Sequence, residues 1–451
     1  MAASPYWCIQ DRCIQAIAAL LALALAPRSA TAQTRNIGPG IPDRPATAWP
    51  RGGEDAFQTG AVLQTKLELD LFGRRPGADP GRRPGDDRTR SAFATGSNET
   101  LVAGWVLLPY GFALHGVARL EPPPRAEATV NAGLRDHAAW LDELYLSWSR
   151  GSIDVFGGRI HPRFGFAWDR GPGLFGADFG RDYELREKLG AGARLWLSDL
   201  AGVSGAIGQH TLQLETFQAD TGTLSGSLFA RRWTGIEPGA EPVTATSGQD
   251  DPSTGRPAGT GRLFWRNRRA FGGPDNARGL AGTVVSLGGF DVPTPIGRLG
   301  YGLAWSRREA GEDAREAGRA TPEHGLAAGV FMTVPLPVAG AVLAPIAEYV
   351  RQTAAGGFRG RRAEWLTAGF ALRRPPWTLA YAWMGSSEAE PGAGRDNRTQ
   401  RTASLTLDLG ILAPAADLLQ GLSLTLGWRQ PRDATGQVDD FGLALAWGYQ
   451  F

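Results

Sequence analysis

The closing stretch of the chain, Val438 to Phe451, leaves few folds open. Phe441, Leu443, Leu445, Trp447, Tyr449 and Phe451 alternate strictly with Gly442, Ala444, Ala446, Gly448 and Gln450. A period of two is that of a β-strand, with large apolar groups on one face and small groups on the other. In a soluble sandwich the large face would need a second apolar sheet against it. A strand with lipid outside, a crowded lumen inside and aromatics at the membrane interface accounts for every position.

The pattern recurs upstream. Leu63, Leu67, Leu69 and Leu71 alternate with Gln64, Lys66, Glu68 and Asp70, and Phe112 to Leu120 alternate with His115 and Arg119. Leu144, Leu146 and Trp148 oppose Glu143, Tyr145 and Ser147, and Leu366, Phe370 and Leu372 oppose Thr367 and Arg373. Leu405, Leu407, Leu409 and Ile411 read as one further strand, and Leu422 to Trp428 as another. Connections alternate between short ones, such as Pro109-Tyr110-Gly111 and Arg374-Pro375-Pro376, and long polar ones, such as His161 to Lys188 and Ser386 to Gln400. Short turns on one side and long loops on the other are the plan of an all-β transmembrane antiparallel barrel. The spacing predicts about sixteen strands, with fourteen or eighteen left open around Gly202 to Gln218. A sandwich or solenoid is disfavoured because the opposite faces carry Gly, Ser, Thr, Arg and Glu.

Composition agrees with a barrel. Beyond Ala26 no run approaches the ~20 apolar residues of a membrane helix. Arg12, the apolar run Ala16 to Ala26, and Ala30-Thr31-Ala32 follow the order of a secretory signal peptide. The expected division is therefore 1–32 signal peptide, 33–60 flexible periplasmic segment and 61–451 outer-membrane barrel. Both cysteines, Cys8 and Cys13, fall in the first part, so the mature chain has no thiol or disulfide chemistry. A net charge of +2 gives no reason to expect nucleic acid.

By alternation Lys66, Arg119, Arg194, Arg308, Arg373 and Arg429 face the lumen, as do Glu68, Asp70, Glu143, Glu215, Glu348 and Asp408. The signs nearly balance, so the wall carries no legible ion preference. The five histidines do not pair at metal-ligand spacing, so neither metal nor cofactor is expected.

Two stretches resemble a known family. The terminal strand, with Phe441, Trp447, Tyr449 and a final Phe451, looks like the assembly signal of Gram-negative outer-membrane barrels. The run Asp142 to Trp148, followed by Phe156-Gly157-Gly158-Arg159-Ile160-His161-Pro162-Arg163-Phe164-Gly165, resembles bacterial porins, nearest to those related to phosphate-selective porins. No basic cluster here singles out phosphate, so that preference is not carried over. The resemblance implies that loop 161–188, the third external loop, folds into the lumen. Its candidate constriction charges are Arg159, Arg163, Asp169, Arg170, Asp178, Arg181, Asp182 and Glu184. The alternative for this loop is a plug of Arg–carboxylate pairs under aromatic packing.

The expected function is passive diffusion of small hydrophilic solutes and ions, without catalysis. The alternative is a substrate-specific channel or exporter for phosphate, a sugar acid or a polysaccharide. A barrel hydrolase using His115, or an adhesin using the long loop Ala219 to Arg278, is the rival from another class. Implied partners are outer-membrane lipid, lipopolysaccharide and the barrel-assembly machinery. A homotrimer is compatible with the resemblance, but alternation does not separate a subunit contact from a lipid-facing wall.

Overall fold

The computed structural model describes residues 57–72, 93–121, 138–220, 229–230, 279–338, 340–392, 394–412, 419–433, 436–437 and 439–450. The expected signal peptide, most of the lead-in and Phe451 lie outside these residues, and Asp70 and Tyr449 are described by backbone alone.

Sixteen strands form the wall: β1 (Gln58–Phe72), β2 (Phe93–Leu107), β3 (Phe112–Glu121), β4 (Ala138–Arg150), β5 (Ile153–Ile160), β6 (Lys188–Trp196), β7 (Gln209–Ala219) and β8 (Gly282–Thr294). They continue as β9 (Gly297–Arg308), β10 (Glu323–Pro335), β11 (Val342–Thr353), β12 (Arg362–Arg374), β13 (Trp377–Glu390), β14 (Gly394–Asp408), β15 (Leu422–Asp433) and β16 (Asp440–Gln450). Each pairs antiparallel with the next, and β16 returns to β1 with Leu67 opposite Leu445. The sheet is closed. Closure leaves no unpaired edge, as a backbone in hydrocarbon requires. Two further two-residue strands, Phe229–Ala230 and Gly436–Gln437, attach to β4 and β15.

Burial alternates as the sequence pattern requires. Leu67, Leu69, Leu144, Leu146, Leu212, Leu214, Leu303, Leu366, Leu379, Leu405, Leu426, Leu443 and Leu445 are exposed on the outer face. Gln64, His115, Arg119, Glu143, Gln213, Glu215, Thr367, Thr402 and Thr425 are buried on the inner one. An apolar outside with a polar inside is the reverse of a soluble protein. It is stable only with lipid around it.

One end of the barrel carries the turns, such as 151–152, 295–296 and 375–376, and the other the loops, such as 161–187. Two sequence expectations need correction. Leu409 and Ile411 do not extend a strand: β14 stops at Asp408, and Leu409–Leu412 form a short helix. Asp408 Oδ1 accepts the Ile411 N–H at 3.1 Å, so this carboxylate caps the helix at the turn end. Ser386 to Gln400 is not a long loop, because β13 and β14 run on as a hairpin to Glu390 and from Gly394. Polar residues there satisfy alternation outside the apolar belt. The 197–208 connection at the turn end contains two short helices, Leu197–Leu200 and Ser204–Ile207.

Candidate functional site: the third loop and the inner wall

The loop enters through a break in alternation. Gly158 on β5 has φ +140°, and a β-carbon there would lie 2.4 Å from the Leu144 carbonyl oxygen. Only glycine fits that position. Immediately after it Arg159 and Ile160 are both buried, and the chain leaves the wall inward.

The root of the loop is ionic. Arg159 is 1% exposed, pairs with Glu187 at 2.9 Å and with Asp220, and donates Nε–H to the Asp142 carbonyl. Arg119 pairs with Asp142 at 3.0 Å and with Glu99, and Arg186 lies 3.7 Å from both Asp142 and Glu184. His161 sits between Glu143 at 3.6 Å and Glu184 at 4.0 Å. Six carboxylates (Glu99, Asp142, Glu143, Glu184, Glu187, Asp220) thus meet three guanidiniums. Such an excess of buried acid favours protonating one member. Glu187 is that member: burial, then the Asp142 carboxylate, push it up to about 8 against the pull of Arg159 and Arg186.

Beyond the root the loop runs along the inner wall. Glu215 of β7 accepts the Arg163 N–H at 2.8 Å. Glu348 of β11 accepts the N–H groups of Phe166 at 2.5 Å and Ala167 at 3.0 Å, and the Tyr183 hydroxyl. Asp182 accepts from Trp365 Nε1 at 3.3 Å and Arg398 at 2.9 Å, and Asp178 from Gln400 at 2.8 Å and Arg429 at 3.2 Å. The anchoring strands therefore run from β7 to β15. Burial beside Glu348 also raises the Tyr183 phenol well above its usual pKa, so it remains a donor.

Packing holds the loop as firmly as its ions do. Phe164, Trp168, Phe179, Tyr183 and Leu185 form one core with Phe217, Val284, Ala304, Val350, Trp365 and Met384 of the wall. A fully buried Phe contributes roughly 1.5–3 kcal/mol, comparable with a hydrogen bond to a charged group at roughly 1.5–3 kcal/mol. A run of inward glycines receives the loop. A β-carbon at Gly329 would lie 2.5 Å from the Phe166 ring, one at Gly369 2.8 Å from Pro172, and one at Gly427 2.8 Å from Leu174. Sequence analysis assigned these glycines no role. Their signal was the concentration at inward-facing places on strands that the loop crosses.

The expected charges do not form one group. Arg159 and Glu184 belong to the buried root, with His161 and Arg186 as members that sequence reasoning did not single out. Arg163 lies over Phe290 at 5.6 Å and Arg170 over Phe331 at 4.0 Å, Asp169 sits beside Arg170 in the short helix Ala167–Arg170, and Asp178 and Asp182 are bonded to the wall as described above. Arg181 and Asp182 are exposed, and Arg181 is within electrostatic reach of Lys66 on β1. On the wall, Lys66 pairs with Glu68 at 2.6 Å, Arg194 bonds Gln213 at 2.7 Å, and Arg308 pairs with Glu323. Arg373 is exposed near the turn end. Beneath the loop a cavity of about 330 Å³ is lined by His115, Tyr145, Arg163, Arg170, Arg194 and Phe290, among others.

No protein-family model matches the sequence, and no curated protein matches it. Solved structures do resemble the fold. OprB of Pseudomonas putida, in a high-pH structure, is 9% identical over 88% of this chain and 94% of its own, with a TM-score of 0.50. The outer membrane protein opdK of Pseudomonas aeruginosa is 8% identical, with 88% and 100% covered and a TM-score of 0.47. OmpT, an outer membrane protein of Vibrio cholerae in a trimer form, is 8% identical, with 88% and 100% covered and a TM-score of 0.45. Closure, inverted polarity and the likeness to OprB together make the fold that of a sixteen-stranded outer-membrane β-barrel.

Proposed function

We propose that the chain is an outer-membrane porin through which small hydrophilic solutes and ions diffuse, narrowed by the third loop. What carries this reading is the loop's chain of bonds from Glu215 on β7 to Arg429 on β15, which sets it inside the barrel. In this reading Arg181 and Asp182 stand at the passage, opposite Lys66 and Glu68, and the buried root holds the loop in place. Facing charges of both signs across a narrow water path filter by width and field rather than by chemistry. In this reading outer-membrane lipid and lipopolysaccharide surround the barrel, and a homotrimer is compatible with it.

Single-channel recording in a planar bilayer, with a salt gradient, tests the reading. Stable open steps are expected, with larger conductance after deletion of Gly165 to Phe179. An inserted barrel that never conducts would remove the channel reading. Unchanged conductance after the deletion would remove the loop as the constriction. The cavity under the loop favours a second reading, a substrate-specific channel. Block of the current by one solute at low concentration would establish it.

A further inference from the structure

The outer face of the barrel is not uniform above its apolar belt. On β11 to β15 the outward positions at the loop end include Arg351, Arg362, Arg395, Arg401 and Arg432, all exposed. The outward positions in the loop-end halves of β1 to β7 contain no lysine or arginine among the described residues. Against these five arginines stand two outward carboxylates. Glu364 is shared between Arg351 at 3.6 Å and Arg395 at 3.9 Å, and Asp439 accepts from Trp428 and Gln430. Arg307 on β9, paired with Glu309 at 2.5 Å, is a further outward cation at this level, so the cationic face spans β9 to β15 and is strongest on β11 to β15.

Register places two of these arginines together. Arg401 is opposite Gln430 on β15, and Arg432 is two residues further along that strand on the same face. Diagonal neighbours of this kind lie about 7–8 Å apart, within reach of two long side chains converging on one group. Arg401 is also directly opposite Trp383, and Trp428 lies two residues from Gln430 on the other side. Tryptophans at this level mark the boundary between hydrocarbon and headgroups. The arginine pair therefore stands at headgroup depth, and neither member forms an ion pair among the described residues.

We propose that Arg401 and Arg432, bordered by Trp383 and Trp428, form a binding site for a phosphate group of lipopolysaccharide in the outer leaflet. Guanidinium forks match phosphate oxygens two at a time, and the adjacent indoles and leucines cover the acyl chains below. A free phosphate ion would use the same forks but gain nothing from that apolar surface. The proposal rests on the outer-membrane placement above, not on conduction.

The test uses native mass spectrometry of the detergent-solubilised protein with purified bis-phosphorylated lipid A, and with the same lipid after dephosphorylation. R401Q/R432Q is expected to retain lipid A at least about tenfold more weakly, a loss of about 1.4 kcal/mol. Wild-type protein is expected to bind the dephosphorylated lipid as weakly as the variant binds the intact one. This second comparison needs no substitution and stands even if the variant does not assemble. Equal binding of the two lipids by wild type, or undiminished binding by an assembled variant, overturns the site. So does a variant that keeps its lipid A but changes its number of subunits, because the face would then be a contact between copies. Bilayer recording on the same preparations separates the two readings. A protein that conducts but ignores lipid phosphate loses this site alone, whereas one that fails to insert loses the placement as well.

Discussion

Glu348 does more than sequence alternation assigns to it. A carboxylate on a barrel wall is ordinarily solvated, yet this one accepts two backbone N–H groups and a phenol from the third loop. Glu348→Ala leaves those donors without their acceptor, at a cost on the order of 3 kcal/mol. The expected result is a loop that leaves the wall, read as noisier and altered single-channel conductance in a barrel that still assembles. Steady wild-type current from the variant would assign the loop's position to its aromatic packing alone. Glu187 gives a prediction with a pH axis. Its carboxyl is raised from 4.5 to about 8 in the folded protein, so the folded state holds the extra proton between those values. Its contribution to stability is complete below about pH 4.5 and is lost as pH rises through about 8. Glu187→Gln should flatten that part of the stability–pH curve in denaturant unfolding. Identical slopes in the two proteins would place the proton elsewhere in the cluster.

At the scale of elements, the strands were legible because lipid and lumen impose opposite polarity on neighbouring positions. Membership in the wall is written at every second residue. The third loop was legible only as unusual composition, since its contacts are with strands some two hundred residues away in sequence, such as Asp178 with Gln400 and Arg429. Charge type alone did not tell Arg159, sealed in the root, from Arg181, exposed on the loop. The clue to the first was Gly158, where a glycine interrupts a strand just before the chain turns inward. Gly158→Val forces its side chain onto the Leu144 carbonyl and the Tyr145 backbone. The variant is expected to lose most of its heat-resistant folded band on a gel, whereas Gly116→Ala, whose β-carbon would meet only ordinary contact with Leu144 at 3.7 Å, is expected to keep it. Equal yields of the two would mean that β5 can leave the wall without the glycine.

For the whole molecule, closure between β1 and β16 decides whether the barrel exists. Leu445 faces outward opposite Leu67 at that seam. Leu445→Arg should destabilise the folded barrel by about 2–4 kcal/mol if the residue lies near the bilayer midplane. Thr425→Arg, on the inner face, should cost less, and guanidinium unfolding in lipid vesicles compares the two. Equal losses would contradict the assignment of inside and outside. The glycines at 329, 369 and 427 carry a further consequence for how this protein varies through time. The wall is a mould cut to the outline of one loop, with recesses where Phe166, Pro172 and Leu174 lie. A loop exchanged for a bulkier one would find no recess, and a wall glycine replaced by a larger residue would expel the loop already there. Changes of bore in descendants of this chain should therefore come in matched pairs, one in the loop and one in the strand it rests on.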